Sequence, residues 1–220
     1  MFKKLLEVLK KGDLIEQAAE ETNQMFIHAE NVFREAVMTL MENRRPSFDI
    51  YQADRSINDL EKSIRRKLLE NMAINPRQDI VASLVMTSII IDIERIGDYS
   101  KNIYELNDLC SDVKKPELDK ELLDRAQFLL DQFGSIRTAF TEGDEKQGRS
   151  IMDKLDPVRK GFDQYLHDIV TRPDIKVHDA VVNALFARYL KRVGAHLENV
   201  ASSIANPFDR IGFYKKQEIE

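Results

Sequence analysis

Turn formers are scarce in this sequence. Eight glycines and six prolines in 220 residues amount to roughly 6% of the chain, where average usage gives about 12%. That excludes an all-β sandwich, with its turn signal every few residues, and favours a few long helices. The one cysteine, Cys110, can form neither an intrachain disulfide nor a thiolate zinc site, and the four histidines (His28, His167, His178, His196) never fall as His-x-x-x-His. A structural zinc is therefore not expected. No apolar run approaches the roughly 18–20 residues of a membrane span, and no small-residue cleavage site follows an apolar N-terminal core. The expected setting is cytoplasmic, at most peripheral at the inner face of the membrane. A basic excess is also missing: 33 Lys and Arg against 38 Asp and Glu leave a net charge of −5, which weighs against nucleic acid as a partner.

What the chain has in abundance is helical amphipathicity. Hydrophobic residues at 43% and charged residues at 32% suit solvated helix faces around a core, and the breakers separate six stretches. The first, about Asp13 to Asn43, carries Met25, Val32, Phe33, Ala36, Val37 and Leu40 at helical spacings and stops at Arg44-Arg45-Pro46. The second, about Phe48 to Met72, has the stripe Ile50, Ile57, Leu60, Ile64 and Leu68. Asn75-Pro76 reads as a cap and first turn for a third helix to about Leu109. After Lys114-Lys115-Pro116 the pattern resumes as a fourth helix to about Thr141. Gly143-Asp144 is a stop and a cap before a fifth, reaching about Thr171 with a bend expected at Pro157. Arg172-Pro173 is expected to open a sixth, ending near Asn206-Pro207.

These stretches repeat. Leu190-Lys191-Arg192-Val193-Gly194-Ala195-His196-Leu197-Glu198-Asn199-Val200 aligns under Ile93-Glu94-Arg95-Ile96-Gly97-Asp98-Tyr99-Ser100-Lys101-Asn102-Ile103, sharing Arg, Gly and Asn and three aliphatic positions. Residues 94 and 191 differ by 97, as do Pro76 and Pro173. The chain is thus read as two related three-helix units in an all-α fold.

The third helix is apolar nearly all round until its acids begin, which marks it as central and buried. Glu94 and Asp98 project from one face a turn apart, and like charges at that spacing repel unless a cation lies between them. Gly97 between them allows a neighbour to approach closely. On the second helix Asp54 and Asn58 are also four apart, so two antiparallel helices offer oxygen ligands for a hard cation. The alternative is that Asp54, Glu94 and Asp98 pair with Arg95, Arg55 or Lys101.

Glu94-Arg95-Ile96-Gly97-Asp98-Tyr99-Ser100-Lys101-Asn102-Ile103, preceded by Asp54-x-x-Ile57-Asn58-x-Leu60-Glu61 and a proline at a helix start, resembles the PhoU family of phosphate-transport and phosphate-signalling regulators. The resemblance covers both repeats. It implies a non-enzymatic protein of two tandem three-helix bundles: a short basic amphipathic segment over residues 1–12, repeat 1 over 13–112, a degenerate repeat 2 over 113–207 and a tail over 208–220. It also implies docking on a phosphate transporter or permease at the membrane, or on a sensor histidine kinase, with a homodimer as a further assembly. Metal ligands carried over are Asp54, Glu94 and Asp98, with Asn58 where the family usually has an acid. The cation expected in repeat 1 only is iron, manganese, magnesium or calcium.

Repeat 2 departs from that pattern. Lys191 stands at the Glu94 position and Ala195 at the Asp98 position, with Met152 or Asp153 near Asp54 and Asp156 near Asn58. A lysine there opposes a second metal site, and its ammonium is expected near Asp156 or Asp153. His196 reads as a packed or capping residue. Met1 to Lys11 sets Phe2, Leu5, Leu6 and Leu9 on one face and lysines elsewhere, suiting either a membrane or transporter contact or a start of the first helix. No nucleophile and base constellation or phosphate-cradling glycine loop occurs. Two other classes remain in view, a carboxylate-bundle metalloenzyme (oxidase or phosphohydrolase) and a ligand-free helical scaffold.

Overall fold

The computed structural model describes residues 13–42, 44–74, 80–107 and 116–212. Six helices make up the architecture: α1 (Asp13–Glu42), α2 (Ile50–Ile74), α3 (Ile80–Glu105), α4 (Lys120–Glu142), α5 (Glu145–Thr171) and α6 (Val177–Ala205), followed by a 3-10 turn at Phe208–Arg210. No strand occurs among the described residues. The proposed cap at Asn75-Pro76, the segment 1–12, Cys110 and the end of the tail lie outside them.

Each apolar stripe becomes a buried face. Met25, Val32, Phe33, Ala36, Val37 and Leu40 of α1 and Ile50, Ile57, Ile64 and Leu68 of α2 are all buried, while Leu60 is half-covered. Helix α1 packs on α2 and α3, and α2 on α3, closing the first bundle; α4, α5 and α6 close the second. The nearly all-apolar α3 is explained by its neighbours, since it packs against α1, α2 and also α6 of the other bundle.

The two bundles meet with the reciprocity of a two-fold axis. Tyr99 and His196, equivalent under the offset of 97, stack on each other with ring centroids 5.7 Å apart. Tyr99 also meets Tyr189 at 6.3 Å, and the matching contact, His196 with Asp92, is a hydrogen bond of 2.7 Å from Nδ1 to Oδ1. When residue i meets j' and j meets i', the interface is isologous. Here that symmetry exists within one chain. Asp92 faces His196 and Asn199 while Tyr99 faces Tyr189 and Arg192, so α3 and α6 cross in antiparallel directions.

Helix boundaries follow local chemistry. Gly143 takes the left-handed conformation (φ 65°) that ends α4, and the Asp144 side chain caps α5 by accepting from the Lys146 and Gln147 amides at 2.9 and 3.0 Å. Pro157 lies within α5 on an exposed position, where its missing N–H removes one bond of the ladder. Two boundaries differ from expectation. Helix α3 ends at Glu105 rather than near Leu109, closed by a turn in which the Asn107 side chain donates to the Tyr104 carbonyl at 2.7 Å. Helix α6 begins at Val177 rather than at Pro173, because the chain after α5 is tied elsewhere. The Arg172 guanidinium binds Asp119 at 2.8 Å, and Asp179 and Asn183 hold the backbone of Glu117 and Asp119. Pro173 sits in that connecting turn.

A candidate electrostatic groove between α2 and α3

Helices α2 and α3 run antiparallel, and Gly97 sets how closely. A Cβ added at Gly97 would come within 3.0 Å of Ile57 Cδ1 and 3.9 Å of Asp54 Oδ1. The missing side chain therefore brings the acidic stretch of α2 onto the acidic stretch of α3. Asp54 is 7% exposed, Glu94 and Asp98 are half-buried beside it, and Glu61 is buried on the same side of α2.

The charges in this groove are already partly answered. Lys101 Nζ donates to Asp54 Oδ2 at 2.8 Å and to Asp98 Oδ1 at 3.3 Å, while Arg95 reaches Asp98 at 3.2 Å and Glu94 at 3.5 Å. Arg65 holds Glu61 at 2.7 Å. Asp54 and Asp98 are thus brought together across one ammonium. Glu94 lies alongside with only the exposed Arg95 as its cation, and Asn58, half-buried, hydrogen-bonds to none of the acids among the described residues. Arg55 is exposed and takes no part. Among the described residues no group of three or more His, Cys, Asp or Glu side chains is gathered as metal ligands would be.

Burial and partners set the protonation of the groove. Burial, then the charges of Asp98, Glu61 and Asp54, raises the Glu94 carboxyl above the ordinary glutamate range, with Arg95 opposing. Burial alone would lower Lys101, but its hydrogen bond to Asp54 and the charges of Asp54 and Asp98 outweigh that and raise it. Lys101 therefore stays an ammonium. For Glu94 the folded state binds its proton more tightly than the unfolded chain. The resulting penalty is present above its folded pKa and disappears as pH falls toward the unfolded value of about 4.3. Glu94→Gln should accordingly stabilise the protein at pH 7 by about 0.5–1 kcal/mol and flatten the rise in stability on mild acidification. Urea melts at pH 7 and pH 5 would measure both, and a loss at pH 7 would contradict the repulsion assigned to this acid.

The equivalent face of repeat 2 carries the opposite arrangement. Glu198 on α6, 5% exposed, pairs with Arg159 of α5, which packs its Cγ 3.4 Å from a Cβ built at Gly194. Lys191 does not reach Asp156 or Asp153: it pairs with Asp163, and Asp156 pairs with Lys160 at 2.5 Å. The antiparallel register of α5 and α6 sets residue 163 opposite 191 and 159 opposite 198, leaving Asp156 and Asp153 farther along the helix. Met152 is a core residue. Glu198 stands under Lys101 in the repeat alignment, so the inverted charge was a signal available in sequence. Its partner Arg159 was not, because which residue of α5 faces Glu198 depends on how α5 packs on α6. His196 proves to be a packed residue bonded to Asp92, with Asn199 donating to the same Asp92 oxygen at 2.9 Å. No helix among the described residues is long and apolar enough to cross a membrane.

Comparison with known proteins places this arrangement. The PhoU domain matches residues 22–106, spanning α1 to α3 with the groove. The phosphate-specific transport system accessory protein PhoU homolog of Synechocystis is 25% identical over 207 residues, covering 90% of this chain and 85% of that protein. PhoU homolog 1 of Thermotoga maritima is 29% identical over 161 residues, or 70% and 69% of the two chains. In fold, the crystal structure of PhoU from Pseudomonas aeruginosa superposes with a TM-score of 0.74 at 19% identity, over 87% of this chain and 95% of that one. The regulatory protein PhoU of Streptococcus pneumoniae superposes at 0.73 and 16% identity, over 93% and 95%. These relatives are named as accessory and regulatory proteins. With its duplicated three-helix architecture, its Glu-Arg-Ile-Gly-Asp stretch on the central helix and relatives that align along most of its length, this chain is similar to the PhoU family.

Proposed function

We propose that this chain regulates phosphate transport as an accessory protein, docking its helical faces on a phosphate transporter or permease at the inner face of the membrane, or on a sensor kinase. The observation that carries the reading is the duplicated fold shared with proteins named as phosphate transport accessory proteins. Cation tuning belongs to the same proposal. The donors Asp54, Asn58, Glu94 and Asp98 are hard oxygens, suited to magnesium, manganese, calcium or ferric iron rather than copper or zinc. Lys101 now lies where such an ion would bridge Asp54 and Asp98, so binding requires the ammonium to withdraw.

The test has two arms. Tagged full-length protein, recovered from membranes of cells grown with and without phosphate, should bring down a transporter or kinase subunit, and phosphate uptake should rise when the chain is deleted. Unchanged uptake with no such subunit recovered would overturn the reading. In calorimetry with manganese, Lys101→Met should tighten binding, Asp98→Ala should abolish it and Lys191→Ala should leave it unchanged. Binding that survives Asp98→Ala would remove the groove from the proposal, and light scattering of the same samples reports whether a homodimer forms.

A further inference from the structure

Two ion pairs flank the equivalent glycines Gly97 and Gly194 of the two repeats with their signs reversed. In repeat 1 the acid is on the second helix and the base on the third, with Asp54 and Lys101 2.8 Å apart. In repeat 2 the base, Arg159, is on the second helix and the acid, Glu198, on the third. Lys101 and Glu198 are separated by the same 97 residues as the two glycines beside them, Gly97 and Gly194. Asp54 lies near the Cβ position of Gly97 and Arg159 near that of Gly194. The acids are 7% and 5% exposed, so whatever charge docks opposite them does so inside a packed contact, where solvent and salt screen little.

Beside these two glycines the remaining neighbours are apolar in both repeats, Ile57 at Gly97 and Leu129 at Gly194. Helix α2 presents Ile57, Ile64 and Leu68, and α5 presents Ile151, Leu155 and Phe162, each an apolar stripe seated beside a glycine on an otherwise apolar central helix. A duplicated chain therefore meets an ambiguity as it folds, because α5 could settle on α3 and α2 on α6. Either wrong choice sets like charges together, Arg159 against Lys101 or Asp54 against Glu198. We propose that the reversed polarity is a pairing code that steers each second helix to the third helix of its own repeat. It acts through repulsion in the wrong pairing as much as attraction in the right one.

The code can be erased without leaving like charges at either of its two pairs. In the full chain carrying Asp98→Asn, which serves as the parent here because Lys101 also holds Asp98, Asp54→Arg with Lys101→Glu gives repeat 1 the polarity of repeat 2, and Arg159→Asp with Glu198→Lys does the converse. Both pairs of the code, Asp54 with Lys101 and Arg159 with Glu198, remain of opposite sign, but so does every wrong combination. After dilution from denaturant each double variant should regain the native state roughly tenfold more slowly than the parent and in lower yield. The quadruple variant, with both pairs inverted, should refold like the parent. A milder variant, Arg159→Met with Glu198→Gln, guards against a double variant that cannot fold, and it should show an intermediate slowing. Parent-like refolding of the double variants or of the milder one would overturn the proposal. A quadruple variant as slow as the doubles would also overturn it, since the delay would then come from local disruption rather than lost discrimination.

Discussion

Phe133→Ala should destabilise the whole protein by about 3–5 kcal/mol, the range for deleting a buried aromatic ring from a core. Phe133 is fully buried on α4, with its ring centroid 5.3 Å from that of Phe26 and 5.6 Å from that of Phe33, both on α1. It is therefore a core residue of repeat 2 whose aromatic partners belong to repeat 1. The cavity would open at the seam between bundles, where helices anchored by other contacts have little freedom to close it. Chemical denaturation followed by both helix content and tyrosine fluorescence would check the prediction. The expected result is one transition, coincident by both probes and displaced to lower denaturant. A loss below about 1 kcal/mol, or two separated transitions in the parent, would show that the seam contributes little and the bundles fold independently.

Arg159→Ala should have the next largest effect, about 2–4 kcal/mol at pH 7, and that effect should shrink on acidification. Without Arg159 the Glu198 carboxylate stays at a buried position with no cation bonded to it, only the charge of Lys160, itself paired with Asp156, acting on it. Even with Arg159 present, burial already raises the Glu198 carboxyl above the ordinary range, the arginine opposing and Asp156 adding to it. A group whose folded pKa is raised takes up its proton on folding, so its penalty applies above the folded pKa and is relieved as pH falls toward the unfolded value of about 4.3. Removing the arginine raises that pKa further and widens the window. The variant should therefore lie roughly 5–15 °C below the parent in melting temperature at pH 7 and recover much of the gap near pH 5. Glu198→Gln, which leaves no buried acid behind, should be milder at pH 7 and should lack the gain in stability on acidification that the raised Glu198 carboxyl gives the parent. An Arg159→Ala deficit equal at both pH values would show that the guanidinium contributes by packing its stem beside Gly194 rather than by answering the charge.

The comparison of sequence with structure divides along physical lines. Helix number, the apolar faces of α1 and α2 and the Gly143-Asp144 junction were legible because each depends on residues within a few turns of one another. The offset of 97 was legible because duplication preserves spacing, and it carries over to the structure as the reciprocal contacts of Tyr99, Tyr189, Asp92 and His196. The start of α6 was misplaced at Pro173 because proline tolerates a first helical turn and an ordinary turn alike. Contacts from Asp179 and Asn183 to a segment some 60 residues earlier select the latter.

By itself, then, the sequence determined an all-helical, twice-repeated chain and the oxygen-bearing side chains grouped on α2 and α3, since periodicity, capping and repetition are written along one dimension. Only the tertiary structure decided which charge answers which. Lys101 lies between Asp54 and Asp98, Lys191 goes to Asp163, and Arg159 meets Glu198. The reason is geometric: an ion pair across two helices depends on their relative register and closeness of approach. Those are set by how whole stripes of side chains interlock around Gly97 and Gly194, and a slide of one turn would have exchanged every partner.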